Sequence, residues 1–170
     1  MTLVRQLARL RVTIGFVAGA FVWWLAEPTW RTLGSGASIA AVGEGLRIWA
    51  AGHLEKGREV TSSGPYALTR HPLYVGSSII GAGLAVASSS AVVAFIVFAY
   101  LAMTLTAAIR TEEAHLTEKF GGAYSAYRTG HAVVEPRRFS LSRAIRNREH
   151  RAVLGLLVAI AALTLKLLNW

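Results

Sequence analysis

The sequence contains no cysteine, which excludes both disulfides and thiolate metal sites. Charge is scarce as well. Asp, Glu, Lys and Arg make up 16% of the 170 residues, against about 25% in an ordinary soluble domain. What charge exists leans one way, with 18 Lys and Arg against 9 acidic residues and a net +9. His53, His115, His131 and His150 are scattered without metal-ligand spacing, so no metal is expected. The arginines from Arg137 to Arg151 have no aromatic interleaved beyond Phe139. That argues against nucleic acid and for contact with anionic lipid. No small-residue cleavage site follows the first apolar run; Glu27-Pro28-Thr29-Trp30 reads as an interfacial turn.

Hydrophobic residues are abundant instead, at 54% of the chain. They gather in runs near the roughly 20 residues a membrane helix requires. Four such runs are Val12 to Ala26, Leu33 to Gly52, Ala91 to Ile109 and Ala152 to Trp170. A shorter run, Tyr74 to Ala87, is rich in Gly and Ser, and Ser88-Ser89-Ser90 reads as a tight turn into the next helix. Residues 74–109 thus predict a helical hairpin, with Gly76, Gly81 and Gly83 allowing close helix approach in lipid. The expectation is an all-α integral membrane protein of about five transmembrane helices, with a cytoplasmic interfacial segment. It forms one membrane domain over 1–170: two helices in 1–52, a core in 53–130, and a basic segment with the last helix in 131–170. With Arg5, Arg9 and Arg11 on the cytoplasmic side, only Arg31 and Lys166 of the 18 basic residues fall near the far face. This satisfies the positive-inside rule and puts Trp170 at the far interface.

Two polar blocks then meet at the cytoplasmic surface, because they flank the open end of the hairpin. The first is Ser63 to Gly76, SGPYALTRHPLYVG. Gly64-Pro65 and His71-Pro72 are turn or helix-start signals, and Pro72 suits the first helical position. Tyr66 and Tyr74 offer aromatic faces and hydroxyls, and His71 a ring nitrogen titrating near neutrality. The second block is Ala108 to Gly130. Glu112 and Glu113 lie just beyond a membrane helix, where carboxylates are costly unless paired or bound. Arg110 is three residues from Glu113, the spacing of an intrahelical pair. Phe120-Gly121 ends that helix, and Tyr124 and Tyr127 would dock an amphipathic segment to the surface. A third feature lies inside the second run, where Glu44 and Arg47 share one helix face. Intramembrane ionisable residues are functional candidates, or else a structural pair with Arg47 reaching toward head groups.

The order GLRIWA, REVTSSGPY, RHPLYVG, IRTEEAHL and FGGAYSAY, across roughly residues 43–130, resembles the isoprenylcysteine carboxyl methyltransferase family, which groups with the membrane phospholipid methyltransferases. The resemblance implies an integral helical methyltransferase using S-adenosylmethionine without a Rossmann fold, and no strand-flanked Gly-rich motif is present here. It implies a cofactor pocket near the cytoplasmic interface and a lipophilic acceptor arriving from the bilayer. Carried over by motif, Tyr66, His71, Pro72, Leu73 and Tyr74 line that pocket, with Val60 and Thr61 contributing backbone. Glu112 matches the cofactor-binding glutamate, with Glu113 its neighbour. Arg47 matches an arginine near the reacting group. The carboxyl methyltransferases carry a second arginine one turn before the first glutamate; this chain has Ala108 there, and Arg110 is the nearest arginine. The acceptor is therefore open between a carboxylate and an amine. Two other readings are an NADPH-dependent reductase of sterol-reductase type, whose members are usually much longer, and a non-enzymatic lipid-binding scaffold.

Overall fold

The computed structural model describes residues 19–131 and 136–169, and all regular structure among them is helical. Arg5, Arg9, Arg11, most of the first apolar run and Trp170 lie outside the described residues. A helical segment over 19–25 leads through an extended linker to α1, Trp30–Ala51. Next come a 3-10 turn at Gly64–Ala67, then α2 at Pro72–Ser88 and α3 at Ala91–Phe120. Two short helices follow, α4 at Gly122–Arg128 and α5 at Leu141–Arg146, and α6 spans His150–Asn169.

Local chemistry sets most of these boundaries. Thr29 caps α1 through a reciprocal box, its Oγ1 accepting from Thr32 N at 3.2 Å while Thr32 Oγ1 accepts from Thr29 N at 3.0 Å. Pro72 opens α2, where its missing N–H costs nothing. The serine turn holds: Ser89 is left-handed at φ 52, and Ser90 caps α3. Gly121 takes φ 48 and separates α3 from α4.

The hairpin of α2 and α3 is present, but the most extensive packing joins α1 to α2. Its seam is built of glycine and alanine. A Cβ on Gly83 would sit 2.6 Å from both Ala40 N and Gly36 O, and one on Gly43 would sit 2.7 Å from Gly76 O. The backbones are therefore in direct contact, the arrangement that dispersion favours where lipid supplies no hydrophobic drive. The apolar core proper is small: Ala26, Leu33, Ala87 and Leu163.

Two described helices are long and apolar enough to cross a membrane, Ala91–Phe120 and His150–Asn169. Only 6% and 11% of their apolar windows are buried, so both turn their side chains outward rather than into a protein core. The Pro72–Ser88 helix is apolar but shorter. The 30 residues of α3 run about 45 Å at 1.5 Å per residue, which exceeds the roughly 30 Å of a bilayer's hydrocarbon layer. Its last turns, including Arg110 to Phe120, project beyond the apolar stretch.

Two long-range staples close the bundle. At one end Lys166 donates to Trp23 O at 2.8 Å and Trp24 O at 2.7 Å, a cation on the carbonyl end of the first helical segment. At the other end, the carbonyls closing α1 receive donors from the basic segment. Asn147 Nδ2 donates to Ala51 O at 2.9 Å and Leu54 O at 2.8 Å, and Arg143 donates to Gly52 O. Arg143 also pairs with Glu55 at 2.7 Å, and Arg137 pairs with Glu59. Three of the arginines expected to face lipid thus pair with protein, Arg146 reaching Glu55 at 3.7 Å from an exposed position; Arg138, Arg148 and Arg151 remain exposed.

Gly43 and Gly45 separate packing from helix propensity. Replacing Gly43 with Ala is expected to cost about 1–3 kcal/mol by overpacking. Gly45 has open space where a Cβ would stand, so Gly45→Ala is expected to gain about 0.5–1 kcal/mol. Thermal unfolding of the two variants in one detergent checks both signs.

Candidate functional site

The two polar blocks converge. The loop after α1, the start of α2 and the projecting end of α3 enclose a cavity of about 830 Å³, within the usual range for small-molecule sites. Arg47, Val60, Thr61, Tyr66, His71, Pro72, Leu73, Tyr74 and Glu112 all line it. Arg110 is exposed and does not, and Glu113 stands just behind the wall. Ala108, which replaces the second arginine of the resembled pattern, also lines the cavity.

The loop wall is held from beneath. Gly64 adopts φ +59 and lies under the buried His53 ring, which a Cβ would meet at 2.7 Å. His53 Nδ1 in turn pairs with Trp49 O at 2.9 Å. Buried Thr61 accepts from Glu55 N at 3.2 Å, fixing the strip that carries Val60. Tyr127 donates its hydroxyl to Tyr66 O at 2.6 Å, so α4 clamps the Gly-Pro turn. Burial, then the charge of Glu112, pushes the Tyr66 phenol up. Burial, then Tyr124, pushes Tyr127 up to about 12. Both hydroxyls therefore remain protonated donors at neutral pH. The expected surface docking of Tyr124 and Tyr127 takes a different form: Tyr124 is buried, and both pack on the protein.

The helix ends meet through His71 and Glu113. His71 Nε2 lies 3.0 Å from Glu113 Oε1, and Arg70 reaches the same oxygen at 3.2 Å. Glu113 thus turns to the α2 side, across 42 residues of chain, rather than to Arg110. The His71 hydrogen bond, supported by Arg70, holds the Glu113 carboxyl below the usual carboxylate range. The neighbouring Glu112 stays exposed within the cavity, with the Tyr74 hydroxyl facing it. The His71 ring stacks on Tyr74 with centroids 5.7 Å apart.

At the inner end stands Arg47. Its Nε donates to Glu149 Oε1 at 2.7 Å, while Glu44 Oε2 is 3.9 Å away. Its other donors reach Ser77 Oγ and, at 3.5 Å, Leu73 O. Glu149 is buried and was not singled out by the sequence reading, although it is the lone acid in an arginine-rich run. Lys56, Glu59, Arg70 and His115 also reach the cavity without having been selected. Among the described residues, no group of three or more His, Asp or Glu side chains is placed to hold a metal ion.

With this arrangement in view, the chain belongs to the phospholipid methyltransferase family, whose pattern it matches over residues 35–123. That match and the outward-turned apolar helices mark a membrane protein. The chain is 37% identical over 123 residues to the cobalt-zinc-cadmium resistance protein CzcN of Cupriavidus metallidurans, covering 65% of this chain and 54% of that protein. It is 31% identical over 114 residues to the nickel-cobalt-cadmium resistance protein NccN of Alcaligenes xylosoxydans xylosoxydans, covering 64% and 52%. The chain thus spans about half the length of the curated relatives it matches. No solved structure matches it.

The lowered Glu113 has a definite sign. Its contribution to stability is fully present above the ordinary carboxylate value and is lost as pH falls through the depressed one. Wild type is therefore expected to exceed Glu113→Gln in melting temperature near neutrality, with the gap closing on acidification. A melting series between about pH 3 and 7 measures this.

Proposed function

From this family membership we propose that the protein transfers a methyl group from S-adenosylmethionine to a lipid-like or lipidated acceptor at the cytoplasmic membrane interface. The observation carrying this reading is the single cavity that collects residues of both polar blocks, positioned where α3 outlasts its apolar stretch. The chemistry of the lining suits the donor. Glu112 offers carboxylate oxygens for ribose hydroxyls or an ammonium group. Tyr66 and Tyr74 offer aromatic faces for a purine, and Arg70 and Lys56 offer cations for a carboxylate.

When bound, the donor supplies a methyl group already activated on a sulfonium. The chain's own task is then to position the two partners and exclude water. In this reading Val60, Thr61, Tyr66, His71, Pro72, Leu73, Tyr74 and Glu112 bind the donor. Glu113 holds the His71 ring in place. Arg47, pinned by Glu149 and Ser77, stands at the reacting end, whereas Arg110 has no role in the cavity. A carboxylate acceptor needs no base, whereas an amine must first lose a proton. An interface suits the pair of substrates, one water-soluble and one lipophilic. The family match over 35–123 favours this reading over an NADPH-dependent reductase or a scaffold without chemistry. A membrane crossed by five helices, with the basic loops inside, accords with the charge distribution.

Calorimetric titration of the detergent-purified protein with S-adenosylhomocysteine should give saturable binding, and NADPH none. Glu112→Gln should weaken that binding by about tenfold or more, as expected for loss of a charge-assisted hydrogen bond. Unchanged affinity would place the donor elsewhere.

A further inference from the structure

A second, smaller pocket of about 320 Å³ lies between α1, α2 and α6, sharing Arg47 with the large cavity. Glu44 contributes its floor. Its residue is 6% exposed, and neither carboxylate oxygen has a hydrogen-bond partner among the described residues. Among the described residues the cation paired with it, Arg47 Nε, is 3.9 Å away and is already engaged by Glu149 at 2.7 Å. Two buried carboxylates therefore share one guanidinium, leaving the cluster short of one positive charge. A buried charge without a full partner is strongly destabilising. Such a site is completed by a cation or by a proton.

Apart from Ser77, whose hydroxyl is bonded to Arg47, the rest of the pocket is apolar: Ile80, Leu84, Ala152, Gly155 and Leu156. These walls are half-exposed or exposed on the outside of the bundle, so the pocket opens sideways, toward lipid. A carboxylate head entering there would face Glu44, a like charge. An ammonium head would complete the cluster while its alkyl chain lay along Ile80, Leu84 and Leu156.

We propose that this lateral pocket is a cation subsite that takes the ammonium head of an alkylamine, with Glu44 as its counter-ion. The proposal rests on the methyltransferase reading only in identifying this ligand with the acceptor. The ammonium would then be held beside Arg47, the residue common to both cavities, and the acceptor would be an amine rather than a carboxylate.

The test uses the full chain in detergent without methyl donor, titrated calorimetrically with hexylamine, hexanoate and hexanol. Saturable hexylamine binding is expected, with the other two weaker by on the order of tenfold or more. Glu44→Gln, which keeps the shape and removes the charge, should weaken hexylamine binding by about the same factor. Gly155 has open space at its Cβ position, so Gly155→Leu should fill the pocket and block the amine while leaving Glu44 intact. Melting temperature serves as the folding control for both variants. Hexanoate binding as well as hexylamine, or hexylamine binding unchanged in both variants, overturns the proposal. So does absence of hexylamine binding, the result expected if a proton alone completes the cluster. Glu44-dependent amine binding without any S-adenosylhomocysteine binding would keep the cation subsite and remove the donor reading; the reverse pattern would remove only the subsite.

Discussion

Direct backbone contact between α1 and α2 is the constraint on which the rest depends. Gly36, Ala40 and Gly43 on one helix meet Gly76, Gly83 and Ala87 on the other, with no room for a larger side chain. In lipid, such a seam gains its stability from dispersion between closely apposed backbones rather than from excluding water. It also fixes rotation and register together. Arg47 extends the Gly43 side of α1 by one turn, so it must emerge beside Gly76 and reach Ser77 and Leu73. Pro72 and His71 at the start of α2 are placed by the same contact. The inner end of the cavity is thus set by residues that carry no chemistry themselves.

The polar end is built by a different force. The carbonyls that close α1 need donors, and its last turn contains no basic residue. Arg143, Asn147 and Arg137 supply them from roughly ninety residues further along the chain. The same arginines bind Glu55 and Glu59, so the loop that walls the cavity is tied to the basic segment leading into α6. Burial in this shell pushes the Tyr66 and Tyr127 phenols up, while the His71 hydrogen bond lowers the Glu113 carboxyl. One carboxylate of the Glu112–Glu113 pair is used to join helices, and the other remains in the cavity.

Two cavities that share Arg47 give the molecule a directional logic. The larger one lies at the polar end, walled by the loop after α1, the start of α2 and the end of α3. The smaller one opens through apolar side chains on the bundle's flank. The Arg47 guanidinium, held by Glu149 and Ser77, is the wall between them. Under the proposed function, a polar donor would occupy the larger half and a lipophilic acceptor the smaller.

The motif resemblance named nine of the cavity-lining residues; the sequence by itself determined the helical class, the serine turn of the hairpin, the start at Pro72 and the break at Gly121. These rest on signals that act within about four residues: caps, special φ angles and apolar run length. It equally exposed Glu44 and Arg47 as unusual, because charge within an apolar run stands out in one dimension. Only the tertiary structure decided which charges pair. It gave Arg47 to Glu149, Glu113 to His71 and Arg70 instead of Arg110, and Arg137 and Arg143 to a loop instead of lipid. Ion pairs between elements have no sequence period. Their partners are chosen by proximity in a low-dielectric interior, and that proximity exists only after the glycine seam has brought the helices together.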